Sequence, residues 1–199
     1  KIGRFGIGFK AVFAYCETPL IWSPTYSFKI SDLVLPHELT SNDDNKHITR
    51  FEFPFNNPKK AKENAYVEIA EGLDSLEETT LLFLNNLETI RWKICDSRSG
   101  FLQRVSYSEN HLEVLKQVGG KAVGAKHFLK FSSPVDGLGT QNASIAYLLE
   151  FEAGIKKFND GKPLGQQMKV VKCSPGKVAV FFPADKENSG LRFHVHAPF

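Results

Sequence analysis

The sequence has few cysteines, and they do not pair. Cys16, Cys95 and Cys173 lie far apart, and no C-x-x-C pair occurs. This spacing indicates neither a zinc site nor a disulfide framework, and it fits a reducing, cytoplasmic compartment. No apolar run approaches the roughly eighteen residues that a membrane-spanning helix needs, so the sequence predicts no membrane contact.

The sequence also lacks a strong excess of charge of either sign. The formal net charge is +3, which is too small to indicate a nucleic-acid partner. Of the 199 residues, 42% are hydrophobic and 24% charged, as in an ordinary globular protein. The sequence contains seventeen phenylalanines but only one methionine and two tryptophans. A core rich in phenylalanine favours β-structure.

Three glycines lie close together at the start of the chain. Gly3, Gly6 and Gly8 have G-x-x-G-x-G spacing and run directly into a predicted helix. Glycine lets the backbone approach a ligand closely, and N–H groups at the start of a helix favour phosphate. The pattern is not a Walker loop, because Phe9 and Ala11 stand where lysine and serine or threonine are needed. It also reverses the G-x-G-x-x-G order of dinucleotide-binding folds.

Periodicity predicts that helices and strands alternate in the first half. A helix should follow the glycines, with a buried stripe at Phe9, Val12, Phe13 and Cys16. A second helix should run from Pro58 to about Gly72, and residues 31–48 should form a surface loop. Strands are predicted at Leu20–Trp22, Tyr26–Ile30, Ile48–Phe55, Thr79–Leu84 and Glu88–Ile94, with Thr79–Leu84 central and buried on both faces.

The second half is predicted to be richer in strands. A turn-forming stretch at residues 96–100 is the best internal boundary, which predicts domains at 1–97 and 98–199. Further strands are expected at Leu102–Tyr107, His127–Phe131, Ile145–Phe151, Met168–Lys172, Lys177–Phe182 and Leu191–His196.

The opening segment resembles the second glycine box of the GHKL ATPases, the superfamily of gyrase, heat-shock chaperone, histidine kinase and MutL ATP-binding domains. The resemblance lies in Gly3-Arg4-Phe5-Gly6-Ile7-Gly8-Phe9-Lys10 and the following Ala11-Val12-Phe13, spelled most like heat-shock-type and sacsin-like members. A segment near the end, Gly176 to Pro183 and Ser189 to Phe199, is also similar to sacsin-like proteins.

The resemblance implies an α+β fold. Residues 1–97 would form the C-terminal half of a Bergerat-type α/β sandwich, with a mixed, largely antiparallel sheet and helices on one face. Residues 98–199 would form a β-rich second, transducer-like α+β domain, incomplete at its end. It further implies ATP with Mg²⁺ as ligand, and a protein client or a homodimer partner.

The resemblance also assigns roles to residues. The phosphates would lie against the backbone of Gly3, Arg4, Phe5, Gly6, Ile7, Gly8 and Phe9. Lys10 either reaches a phosphate or is an exposed helix lysine. Glu78-Thr79-Thr80 looks like the family's Gly-Thr box, with Glu78 in place of glycine, which puts Thr79 and Thr80 near the adenine. Both threonines are equally well explained as strand-favouring β-branched residues.

No catalytic residue is expected within the chain. In the family the general base and the Mg²⁺ ligand precede the second glycine box, so the chain, which opens on that box with a lysine rather than methionine, is expected to be part of a longer protein. We therefore expect either a portion of a cycling, chaperone-like or DNA-processing ATPase, or a sacsin-like interaction module that keeps the fold without hydrolysis. The chain alone is not expected to hydrolyse ATP.

Two histidines alternate near the end of the chain. His194 and His196 should point to one face of a strand. Two imidazoles on one face could bind a metal, with Cys173 and Asp185 as further candidates, but a zinc site needs three or four ligands. A hydrogen-bonded pair of strand residues is the expected role, and no metal site is predicted.

Overall fold

The chain divides into two compact units. The computed structural model describes residues 7–40, 47–96, 98–137, 141–180 and 182–197. Unit 1 comprises Lys1–Leu73 and unit 2 comprises Asp74–Phe199.

Unit 1 combines short helical segments with a small antiparallel sheet. Its described part begins with helix α1 (Ile7–Lys10) and a 3-10 helix at Ala11–Ala14. The strands are β1 (Leu20–Trp22), β2 (Ser27–Ser31), β3 (Leu35–Glu38) and β4 (Arg50–Glu52), in the order β3-β2-β1-β4. Helix α2 (Lys62–Asp74) follows, with Ala65 and Ala70 buried.

The predicted elements of unit 1 are mostly confirmed, with differences in extent. Strands β1 and β2 lie where periodicity predicts them, whereas helix α2 begins at Lys62 instead of Pro58 and the strand predicted at Ile48–Phe55 is limited to β4. The helix after the glycines is shorter than expected, because the N–H groups of Tyr15 and Cys16 both bond to the carbonyl of Val12 and close the turn. The predicted surface loop at residues 31–48 contains strand β3, which pairs with β2 through a tight turn at Asp32 and Leu33.

Unit 2 is built around one large sheet. Its strands are β5 (Thr89–Cys95), β6 (Arg98–Ser106), β7 (His111–Val118), β8 (Lys121–Pro134), β9 (Asn142–Phe151), β10 (Met168–Val171), β11 (Lys177–Val180), β12 (Phe182–Asn188) and β13 (His194–His196). Strands β5 to β9 form an antiparallel meander. Strand β13 pairs antiparallel with β9 and parallel with β11.

The break predicted at residues 96–100 falls inside this sheet. Strands β5 and β6 pair directly, with Cys95 opposite Arg98, so the turn-forming residues join two strands of one unit. The compact units divide earlier, between Leu73 and Asp74 at the end of α2. The same turn-forming residue types occur at hairpins and at domain boundaries, so only the pairing of the flanking strands distinguishes the two.

The prediction of a central strand at Thr79–Leu84 is wrong. Residues 78–81 form a 3-10 helix, and every residue from Glu78 to Leu84 is buried. The helix packs against β6 and β7, and Arg104 on β6 donates hydrogen bonds to the carbonyls of Leu81 and Leu84. The apolar run therefore covers the sheet of unit 2 instead of joining a sheet.

The architecture is α+β, with mostly strands and two largely antiparallel sheets. The buried core of unit 2 includes Leu82, Leu102, Val114 and Phe128. Among the described residues, no helix has the length and apolar character required to cross a membrane.

Candidate functional site

The predicted phosphate loop is described only at its end. Gly3, Arg4, Phe5 and Gly6 lie outside the described residues, whereas Ile7 to Lys10 form α1. Gly8 and Lys10 are exposed, and a Cβ atom built on Gly8 would meet no atom within 4 Å in the described part of the chain. The φ angle of Gly8 is not left-handed either. Among the described residues, neither packing nor backbone conformation requires glycine at this position.

Phe9 anchors the end of the loop to unit 1. Its half-buried ring lies 6.1 Å from Phe13, 6.5 Å from Phe51 and 6.3 Å from Phe53, between ring centroids. Aromatic pairs at such distances contribute favourable contact beyond their buried area. Because Phe9 faces the aromatic cluster, its neighbours Gly8 and Lys10 are left on the exposed side.

Two asparagines fix the segment that follows the loop. Asn57 donates from Nδ2 to the carbonyl of Phe13 at 2.8 Å. Asn56 donates to the Thr18 hydroxyl at 2.8 Å and accepts the N–H of Glu17 at 2.7 Å. These bonds tie residues 13–18 to the chain just before α2.

A surface network holds the same segment to α2. The Tyr15 hydroxyl donates to Glu68 at 3.0 Å, and Lys60 contacts the same carboxylate oxygen at 2.6 Å. The hydrogen bonds from Lys60 and Tyr15 lower the pKa of Glu68, and the bond to Glu68 raises the pKa of Tyr15. Glu68 is thus ionised at neutral pH and serves to position the segment.

Thr79 and Thr80 lie in unit 2, whereas the described loop residues belong to unit 1. Both threonines are buried in the 3-10 helix, and the Thr79 hydroxyl has no hydrogen-bond partner among the described residues. Glu78, which replaces the family's glycine, pairs with Lys126 at 3.0 Å. The role of Thr79 and Thr80 beside an adenine stays a prediction.

Unit 2 contains a buried polar network that no motif in the sequence predicts. His111 Nε2 lies 3.1 Å from His127 Nδ1, and His127 Nε2 lies 3.4 Å from Glu113. Tyr107 donates to the other oxygen of Glu113 at 2.6 Å, and Phe158 packs on both Tyr107 and His111 with centroids 4.6 Å apart. The alternation of His111 and Glu113, two residues apart, is the signal that could have revealed β7.

Burial sets the protonation of this network. It lowers the pKa of His111 to about 4, assisted by the nearby His127, and it lowers the pKa of His127. Burial, followed by the bond to Glu113, raises the pKa of Tyr107 to about 12. At neutral pH both imidazoles are neutral and the phenol is protonated, so the network holds β6, β7 and β8 together through hydrogen bonds.

Cys173 and His194 form a second buried pair, 3.3 Å apart between Sγ and Nε2. The backbone N–H of Lys177 donates to His194 Nδ1 at 3.1 Å, which assigns the imidazole proton to Nε2. A neutral imidazole with its proton facing the sulfur cannot take the thiol proton, and burial raises the pKa of Cys173. The pair is therefore not a nucleophile with its base.

His194 and His196 lie on the same face of β13, as alternation predicts, and both are buried. The ring of His194 contacts Phe128 and that of His196 contacts Phe83, with centroids 5.9 Å and 5.3 Å apart. Across the ranges that the structure describes, no group of three or more His, Cys, Asp or Glu residues is arranged to hold a metal ion.

Comparison of the chain with family models, curated proteins and solved structures gave no match.

Proposed function

We propose that residues 3–10 contact the phosphates of a bound nucleotide, ATP with Mg²⁺, as in the GHKL ATPases that this segment resembles. In this proposal unit 1 belongs to a Bergerat-type nucleotide-binding sandwich. The backbone N–H groups of Arg4, Ile7 and Phe9 donate to phosphate oxygens, and Lys10 supplies a positive charge beside them.

The spacing of Gly3, Gly6 and Gly8 carries the proposal, and the open surroundings of Gly8 are compatible with it. Glycine within a helix costs about 1 kcal/mol relative to alanine, because it loses more backbone entropy on folding. At Gly8 nothing in the described residues offsets this cost, since a Cβ would meet no atom within 4 Å there and φ is not left-handed. Close approach of a ligand to the backbone is a physical reason for glycine at such a position.

The fixed surroundings of the loop support the same proposal. Phe9 is anchored by three aromatic rings, and Asn56 and Asn57 restrain the chain that follows. A loop held at its end loses less conformational entropy on binding than a free one, so more of the phosphate interaction contributes to affinity. Because α1 has only four residues, the individual N–H groups carry this role and not a helix dipole.

The test is an ATP titration of the full-length gene product in the presence of Mg²⁺, measured by calorimetry. Gly8→Val and Gly6→Val should each weaken ATP binding at least about tenfold, because a side chain there blocks the approach of phosphate. Gly165→Val is the matched control, because Gly165 is also exposed, in a short helix and free of neighbours within 4 Å in the described residues. Equal ATP affinity in the wild type and Gly8→Val would contradict the proposal.

The alternative, a sacsin-like interaction module without hydrolysis, is favoured by one observation. The edge strands β3 and β4 of unit 1 are exposed throughout, and Leu35 and Phe51 are each about half exposed. An open edge with apolar side chains is suited to pairing with another chain. This alternative predicts no ATP binding, together with protection of β3 and β4 from hydrogen exchange when the full-length protein assembles with its partner.

A further inference from the structure

Unit 2 contains a small polar cavity on the face of the sheet that the Leu81–Leu84 segment covers. Its volume is about 230 Å³. Arg104 and Ser106 of β6 and Lys130 and Ser132 of β8 line it from below. Asn110, whose carbonyl accepts the backbone N–H of Lys130 at 2.7 Å, closes one side.

Arg104 is fixed in place by backbone carbonyls. Its guanidinium donates to the carbonyls of Leu81 and Leu84 and, at 2.8 Å, to that of Asn85. These are neutral acceptors, so they orient the group without cancelling its charge. The cavity therefore has a rigid cation in its wall.

Lys130 brings a second positive charge to the same cavity. Its ammonium donates to Asn85 Oδ1 at 2.9 Å and lies 5.6 Å from the centre of the Phe83 ring. In the described part of the chain it forms no ion pair with a carboxylate. Burial, followed by the charge of Arg104, lowers the pKa of Lys130 to about 8. Glu88, which does not line the cavity, interacts electrostatically with Arg104. The two cations are thus held together at a partly buried position, where an anion that contacts both would be favourable.

We infer that this cavity binds a phosphate group, with Lys130 and Arg104 balancing its charge and the hydroxyls of Ser106 and Ser132 donating to its oxygens. Two positive charges match a phosphate dianion, whereas a carboxylate would leave one of them uncompensated. The volume holds one phosphate and a small substituent or a few waters. Glu109 also lines the cavity but is exposed, so it acts as a negative charge at the rim.

None of the residues that line this cavity belongs to the glycine loop of the proposed nucleotide site. The two can be separated by mutation. Phosphate binding at the cavity should be lost in Lys130→Gln and retained in Gly8→Val. The converse pattern would assign the phosphate to the glycine loop and overturn the inference.

The experiment is a calorimetric titration of the full-length protein with inorganic phosphate and, separately, with glycerol 3-phosphate. We expect saturable binding in the wild type and at least about tenfold weaker binding in Lys130→Gln. Lys121→Gln is the matched control, because it removes an exposed lysine from the same strand outside the cavity. Tighter binding of inorganic phosphate would identify the free ion as the ligand, and tighter binding of the ester would identify the phosphate group of a larger metabolite.

A second variant distinguishes a specific loss of binding from a loss of folding. Glu109→Gln removes the negative charge at the rim and should strengthen binding about threefold, which a damaged protein would not do. Wild-type protein that binds neither probe, or a Lys130→Gln variant that binds phosphate as the wild type does, would overturn the inference.

Discussion

A Cβ added at Gly8 of unit 1 would meet no atom within 4 Å in the described residues, whereas one added at Gly176 of unit 2 would lie 2.6 Å from the carbonyl oxygen of Leu191 and against that of Phe193. Both glycines are followed by apolar segments in the sequence, but Gly8 belongs to the G-x-x-G-x-G pattern whereas Gly176 stands alone. Gly176 is required because two stretches of backbone pass close together, so packing explains it completely. Among the described residues Gly8 has no such close neighbour, a property that it shares with Gly72 and Gly165.

The two units also differ in what they bury. Unit 2 encloses four histidines, His111, His127, His194 and His196, among its strands. The histidines described in unit 1, His37 and His47, are exposed, and its sheet leaves Leu35 and Phe51 open to solvent. The buried histidines of unit 2 therefore find their contacts inside the fold, whereas Leu35 and Phe51 of unit 1 remain partly exposed to solvent.

The largest expected effect tests the contrast between the glycines. Gly176→Ala should destabilise unit 2 by about 3 kcal/mol, because the new methyl group forces two backbone carbonyls apart. Gly8→Ala should change the stability of unit 1 by no more than about 1 kcal/mol, and toward greater stability. Urea unfolding can report each unit separately, since Trp22 lies in unit 1 and Trp92 in unit 2, and variants that retain one tryptophan give one signal.

If Gly176→Ala unfolds at the same urea concentration as the wild type, the close approach of the backbone at residues 191–193 does not constrain this position. If Gly8→Ala destabilises unit 1 by several kcal/mol, the glycine is structural and the argument for a ligand fails.

The second prediction concerns acid. The folded state lowers the pKa of His111 and His194 to about 4 and also lowers that of His127 and His196, in each case mainly through burial. Between pH 6.5 and 4 the unfolded chain therefore binds more protons than the folded one. The free energy of unfolding of unit 2 must fall as the pH falls through this window, by up to about 1.4 kcal/mol per pH unit for each histidine that changes charge.

Unfolding followed by Trp92 between pH 7 and pH 4 measures this fall, and Trp22 provides the comparison with unit 1. Replacement of His111 by phenylalanine, which fills a similar volume without a titratable group, should make the dependence shallower. A Trp92 transition that does not depend on pH between 6.5 and 4 would show that these histidines are not buried in their neutral form.

The smallest expected effect tests the anchoring of the loop. Asn57→Ala removes the hydrogen bond to the Phe13 carbonyl and the acceptor for the N–H of Lys59, and should destabilise unit 1 by about 1 kcal/mol. Because Asn57 also restrains the chain after the glycine loop, ATP binding should weaken with it. Unfolding monitored at Trp22 measures the first effect, with the Trp92 transition unchanged. Unaltered stability at Trp22 would mean that Asn57 does not tether this segment.

The sequence predicts the strands well where side chains alternate. Strands β2, β4 and β13 follow from period-two patterns, and the α+β, largely antiparallel character agrees with what the resemblance implies. Strand β7 is not predicted, because the alternation that begins at His111 and Glu113 does not continue through the mixed charged and apolar residues up to Val118. The apolar run at Thr79–Leu84 predicts a strand wrongly, because a continuous apolar stretch has no periodicity to separate a strand from a buried turn.

The candidate site was predictable only in part, for a different reason. The glycine spacing is local and can be found in the sequence, so residues 3–10 were identified directly. The cavity at Lys130 and the network at His111 depend on register between strands, which brings Arg104, Lys130 and Asn85 together although they lie far apart in the chain. No local pattern encodes that proximity.

The central claim is that the backbone of the glycine loop binds the phosphates of a nucleotide, and the most direct test is to follow its amide groups. In the ¹⁵N-labelled full-length protein, addition of ATP with Mg²⁺ should shift the N–H resonances of Gly6, Gly8 and Phe9, and ADP should do the same. Adenosine, which has no phosphate, should leave them in place. Saturable ATP binding that does not move these three resonances, or a complete lack of ATP binding, would contradict the account.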